Sequence, residues 1–327
     1  MNITEKCVEA AKNTEKIYQL GRESVLNPNL KYNIVDIKDN NWKYWGQKAI
    51  EFENYFRSLS DILYIIIHGL FKADDTKDDK DFGHMFANCV KMSIFPEINT
   101  SNGEIFDYMF YGCKSMTDAP FFDTSKGKVF RHMFSDCSAE LIVPEYDTSN
   151  GEDFLGMFYG CAYLRKLPNL NTGKGQNFQQ FLDGCWRLAG DYTFDTKNGT
   201  NFYAFARNCQ QLTGLNINVS GATDLTYAFK TCNKLIDVDL GGSIPISVSF
   251  SNSPKLTDDS AERIVRSLKD YSNDAENRYK HTITFHPDVW EKLSWVPFLV
   301  GVWDGERYVI EDIGVDGYLS KIGWLRA

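Results

Sequence analysis

The sequence holds no apolar stretch that could cross a bilayer: its longest run, Ile62 to Ile67, falls far short of the roughly 20 residues a membrane helix needs. The first twenty residues carry no apolar core of a secretory leader, so neither an export signal nor an anchor is expected. Cys-x-x-Cys and Cys/His spacings suited to zinc are missing. So are the Gly-x-Ser-x-Gly elbow, the P-loop and a glycine-rich dinucleotide turn. The five histidines (His68, His84, His132, His281, His286) are scattered, and His281 and His286, five apart in an expected strand, would point to opposite faces. No catalytic residue, cofactor or metal is expected from these patterns. Basic excess is lacking too. A net charge of −9 turns the reading away from nucleic acid and from anionic membranes as partners. The charged stretch Lys72–Asp81 lacks the glycine and terminal glutamate of a calcium loop and reads as solvated surface. The 44 acidic residues leave a carboxylate pair for glycan cleavage open as a lesser alternative.

What the sequence has is a unit recurring seven times between Phe82 and about Phe250. Cys89, Cys113, Cys137, Cys161, Cys185 and Cys209 stand 24 residues apart, and Cys232 follows after 23. Seven positions before each stands Phe82, Phe106, Phe130, Phe154, Phe178, Phe202 or Leu225, and a second phenylalanine comes just before each cysteine. Asp123-Thr124-Ser125 and Asp147-Thr148-Ser149 punctuate the unit, with Gly103, Gly127, Gly151, Gly175 and Gly199 at one repeated position. A period in the twenties marks a solenoid.

Within one copy Phe106, Phe110 and Cys113 fall at i, i+4 and i+7, which predicts a short helix. The stretch Met116–Phe122 reads as a strand that ends in the Asp-Thr-Ser turn. A two-turn helix is unstable alone, so each unit must lean on its neighbours and stack like residues into ladders. The cysteines then read as small buried side chains, reduced rather than bridged. Strand alternation turns Ile98, Phe122, Tyr146, Leu170, Phe194 and Ile217 inward and leaves a row facing out: Glu97, Phe121, Glu145, Asn169, Thr193 and Asn216. Acid, amide, hydroxyl and an aromatic ring together suit contact with sugars or protein side chains. A plain solvated sheet face has the same composition.

The sequence divides at 1–71, 72–81, 82–252 and 253–327. The first part pairs a helix over 3–22, whose stripe of Ile3, Cys7, Ala10, Thr14, Ile17 and Gly21 suits self-association or docking, with an aromatic cluster (Trp42, Tyr44, Trp45, Phe52, Tyr55, Phe56) that suits a capping layer. Ile62–Ile67 reads as the strand that begins the stack. In the last part Thr257 caps a helix with its apolar face running to Tyr271. Thr282–Phe285 reads as a strand, Pro287–Leu293 as a helix and Asp304-Gly305 as a hairpin turn, and a small helix and a Gly-Trp-Leu tail close the chain. The fold class expected is thus an α/β solenoid of seven units of about 24 residues, with an α-helical and aromatic N-terminal region and an α+β C-terminal cap.

Met109-Phe-Tyr-Gly-Cys-Lys-Ser-Met116, followed by Pro120 and Asp123-Thr-Ser125, resembles the BspA-like leucine-rich repeat. That repeat family occurs in bacterial and protist surface proteins and in tail or fibre modules of phages. The opening Thr4–Tyr18 and the closing Ser253–Thr257, Val289–Leu293 and Gly323-Trp324 resemble the ends of repeat proteins encoded among phage and prophage structural genes; Trp295–Gly314 is longer and more hairpin-like than that pattern. The resemblance implies a non-enzymatic virion protein (fibre, tail or head appendage), found in the particle and made in the host cytoplasm. Its partners would be other virion proteins and further copies of itself through the N-terminal region, and a host-surface glycan or protein. A bacterial or protist surface adhesin is the alternative, and a polysaccharide-degrading enzyme the lesser one.

Overall fold

The computed structural model describes residues 78–90, 93, 95, 98–303 and 308–327. The expected helix over 3–22, the aromatic cluster, the strand Ile62–Ile67, most of the charged loop, Glu97 and the Asp304-Gly305 turn lie outside the described residues. These form a sheet-rich structure with few helices and no closed barrel. The chain divides into two compact units, one of Met1–Asn150 with Pro168–Leu170 and one of Gly151–Leu167 with Asn171–Ala327.

In the first unit, stretches of chain 24 residues apart lie side by side, joined by parallel bridges from Asp81 to Ile105 and from Ile105 to Val129. The N–H groups of Phe82, His84, Phe86 and Asn88 donate to the carbonyls of Ile105, Asp107, Met109 and Tyr111 in the next stretch. The intervening N–H groups of Met85, Ala87 and Cys89 donate three residues back, to Phe82, His84 and Phe86. His84 (φ 60°) and Asn88 (φ 59°) sit at the third position of the turns Phe82–Met85 and Phe86–Cys89, as a type II turn requires. The expected helix is therefore absent here, and the same arrangement recurs at Phe106–Cys113 with Tyr108 and Gly112 at positive φ. A helix would send every N–H four residues back within its own segment, whereas this backbone sends alternate N–H groups to its neighbour.

That choice explains the repeated side chains. Phe82, Phe106 and Phe130 are fully buried, and their rings stack at 5.7 Å from one to the next. The Cβ of any larger residue at Gly103 or Gly127 would lie 2.5 Å from the ring of Phe106 or Phe130, so glycine is what lets the rings in. The cysteines do more than fill space: the Cys113 thiol donates to the Phe86 carbonyl at 3.1 Å and the Cys137 thiol to that of Phe110 at 3.2 Å. In the Asp-Thr-Ser turn, Asp123 and Asp147 accept from the N–H groups of Ser125 and Ser149. The buried hydroxyls of Thr100 and Thr124 reach one stretch further, to the carbonyls of Asp123 and Asp147.

The second unit repeats this scheme through bridges joining Asp153, Asn177, Asn201 and Asp224. The expected strand Met116–Phe122 is reduced to one bridge, from Asp118 to Ile142, in the first unit, and its equivalents in the second unit form a parallel sheet of β1 (Gly190–Thr193), β2 (Leu212–Asn216) and β3 (Asp237–Asp239). A second parallel sheet holds β4 (Val248–Phe250), β5 (His281–Phe285) and β8 (Trp324–Arg326), and β6 (Leu299–Trp303) and β7 (Tyr308–Asp312) form a separate antiparallel pair. Helix α1 (Asp258–Arg266) is capped by Thr257, whose hydroxyl accepts from the Ser260 N–H at 3.2 Å. It ends five residues before Tyr271, although Leu268 and Tyr271 remain buried. Its Ser260 hydroxyl accepts from the Val238 N–H and donates to the Val238 carbonyl, which closes the otherwise free edge of β3. Helix α2 (Pro287–Leu293) matches its expected bounds, and α3 (Gly314–Lys321) is the small helix expected before the Gly-Trp-Leu tail. All seven described cysteines are buried and free of disulfides.

Candidate functional site

The exposed row is positioned by the hydrogen-bonded backbone beneath it. In the first unit Phe121 is 73% exposed while its neighbour Phe122 is buried against Phe110. Glu145 is exposed and Tyr146 buried, with the Tyr146 hydroxyl donating to the Pro120 carbonyl. The Glu145 carboxylate accepts from the Asn169 N–H at 3.0 Å and from its side-chain amide at 3.2 Å, so these two row members are tied together. Leu170 is only half-buried. Ile142, 64% exposed and bridged to Asp118, is an apolar surface residue that strand alternation alone did not single out. In the second unit Thr193 and Asn216 are exposed and lie in register with Asp239 across the first sheet. Beside them the Thr213 hydroxyl donates to the Asp191 carboxylate at 2.6 Å, in the space left by Gly214. Reading the repeat as columns of equivalent positions, rather than as one alternating strand, would have brought Asp191 and Thr213 forward.

A family model described as a Mycoplasma protein of unknown function, DUF285, matches residues 50–166 and 129–239. Together the two matches span 50–239, more than half of the 327 residues. The chain belongs to the DUF285 family. This membership fits a BspA-like repeat protein. No curated protein and no solved structure matches the DUF285 chain.

Other polar groups of the DUF285 chain have structural partners. Glu104 lies between Lys128 and Lys80, and hydrogen bonds first from Lys128 and then from Lys80 hold its carboxyl down at about 2. Asp183, almost fully buried, takes a two-pronged bond from the Arg207 guanidinium, whose positive form this pairing favours. His84 stacks on Tyr108 and Tyr108 on His132, each at 4.7 Å. Burial pushes the thiols of Cys185 and Cys209 well above their ordinary range and that of Cys232 up to about 12, so they are poor nucleophiles. Among the described residues, no group of three or more His, Cys, Asp or Glu is disposed to hold a metal ion. No helix among them is long and apolar enough to cross a membrane. Phe121, Ile142 and the Glu145–Asn169 pair present contact chemistry: a ring, a branched aliphatic, and paired acid and amide groups.

Proposed function

We propose that this chain is a non-enzymatic virion protein, a fibre, tail or head appendage, whose seven sequence repeats form one BspA-like solenoid. Residues 1–71 attach it to other virion proteins and to further copies of itself. The outward row meets a glycan or protein on the host surface. The observation that carries the recognition reading is Phe121, a phenylalanine 73% exposed on a backbone fixed by its buried neighbour; aromatic side chains are enriched at protein contact surfaces. The virion setting is supported by the resemblance of both flanks to phage structural repeat proteins. The family match, with its Mycoplasma description, favours a second reading in which the same surface serves a cell-surface adhesin.

Proteomics of purified phage particles, and of the surface fraction of cells that carry the gene, separates the two settings. Recognition is tested by cell binding of the purified protein with Phe121→Ala and Glu145→Ala. Both variants are expected to fold and to lose most binding. Unchanged binding by both would remove the row from the reading.

A further inference from the structure

In the second unit each turn hands four N–H groups to the turn after it. Phe202, Ala204, Ala206 and Asn208, for example, donate to the carbonyls of Asp224, Thr226, Ala228 and Lys230. The equivalent N–H groups of the last such turn, on Leu225, Tyr227, Phe229 and Thr231, have no protein acceptor among the described residues. The cause lies in the next segment. Residues 246–253 keep traces of another turn: Phe250 stacks on Phe229 at 4.7 Å, and the Ser253 hydroxyl donates back to the Cys232 carbonyl, whereas the Cys232 thiol donates to the Ala206 carbonyl. Yet Val248–Phe250 is drawn straight to pair with β5, and its carbonyls do not meet the waiting donors.

The result is a groove of about 300 Å³, within the range of small-molecule sites. One wall is the N–H row with the half-exposed Tyr227 ring, and the Lys230 ammonium lies 4.8 Å from that ring's centre. The other wall is the hydroxyl face of β4 and β5, where Ser249 stands opposite Thr284. The opposite face of the same strands buries Val248, Ile283, Phe250 and Phe285. No carboxylate lines the groove, although the chain carries a net charge of −9. The Asp224 carboxylate is engaged by the Thr226 N–H at 2.8 Å. The Phe229 ring, which lines the groove, stacks on the buried Phe250 ring, and the volume suits a single ring-sized ligand.

We propose that this groove binds one carboxylated sugar unit. Its carboxylate sits on the backbone N–H groups and Lys230, a charge-assisted arrangement. Its hydroxyls meet Ser249 and Thr284, and its C–H face lies against Tyr227. None of the outward-row residues lines the groove, so this site stands or falls independently of them.

The test is amide NMR on the isotope-labelled full chain, titrated separately with glucuronate, glucose and inorganic phosphate. Glucuronate is expected to shift the Leu225, Tyr227 and Phe229 amides and to bind roughly tenfold more tightly than glucose, the ratio carried by one hydrogen bond to a charged group. Lys230→Met and Tyr227→Ala are each expected to weaken it several-fold. The second variant places at 227 the residue that already occupies the equivalent left-handed position at Ala204, so it should fold. Equal affinity for glucose and glucuronate, or no shift at these amides, overturns the proposal. Phosphate binding as tightly as glucuronate overturns the sugar part and leaves a plain anion site. Tighter binding of a peptide copying 202–209 overturns it in favour of a polypeptide ligand.

Discussion

Replacing Phe110 by alanine removes a side chain at the centre of the first unit's core. The ring is fully buried. It stacks between Phe86 and Phe134 at 5.6 and 5.5 Å and meets Phe95 edge-on at 5.1 Å, with Phe122 at 5.9 Å on its remaining side. Phenylalanine-to-alanine changes in cores cost about 3–5 kcal/mol. Four ring partners, each contributing about 0.5–1.5 kcal/mol beyond area burial, place Phe110→Ala toward the upper end. The neighbours cannot collapse inward, because hydrogen bonds to adjacent turns fix their backbones. Phe110→Leu keeps most of the volume and loses only the ring contacts, so about 1–2 kcal/mol is expected. Phe121→Ala, next to Phe122 in the chain but exposed, should cost under about 0.5 kcal/mol. Urea denaturation followed by circular dichroism, checked with a second probe for a shared transition, gives all three values. Equal losses for Phe110→Ala and Phe121→Ala would show that the ladder is not what stabilises this unit.

Three further outcomes are expected. Native protein should leave the Cys185, Cys209 and Cys232 thiols unreactive toward a thiol reagent at mildly alkaline pH, because burial raises them; rapid labelling without denaturant would contradict this. Arg207→Ala strands the buried Asp183 carboxylate and should cost about 3–5 kcal/mol, with Arg207→Lys recovering only part because a lysine cannot make the two-pronged bond; a melting temperature unchanged in Arg207→Ala would refute it. Burial, then Lys280 and Lys269, push the His281 imidazole below its ordinary 6.5. The unfolded chain therefore binds that proton more readily, and stability present at neutral pH is lost as pH falls below about 6.5. His281→Gln should flatten the melting-temperature profile between neutral pH and about pH 5, and an identical slope in both proteins would exclude the imidazole as its source.

Much of the fold was legible because ladders repeat. The period came from the cysteines, and the alternation that buries Phe122 and Tyr146 and exposes Phe121 and Glu145 followed from a single strand phase. Thr257 and Pro287 marked helix starts by local chemistry that tertiary context did not override. The helix expected at Phe106–Cys113 was wrong for a physical reason. Three apolar residues at i, i+4 and i+7 point to one side equally well when the chain makes two successive type II turns. The residue before six of the seven cysteines carried the deciding signal: Asn88, Gly112, Asp136, Gly160, Gly184 and Asn208 are types that accept a left-handed backbone, while Thr231 before Cys232 adopts it as a β-branched residue. The groove beside Tyr227 had no comparable mark, since it arises from β4 being pulled straight by a partner more than thirty residues further along.

The alternating destination of the N–H groups has a consequence for how such a gene can change length. A turn is held by its neighbour only if donors and acceptors arrive in phase, so the chain can grow or shrink by whole periods but not by fractions of one. Removing residues 178–201 takes out one complete copy and joins Asn177 directly to Phe202, which then stands in the column that Phe178 occupied. Removing half that stretch throws every later ladder out of alignment. Tandem duplication and loss by unequal recombination, which act on whole copies, are therefore changes this architecture can absorb.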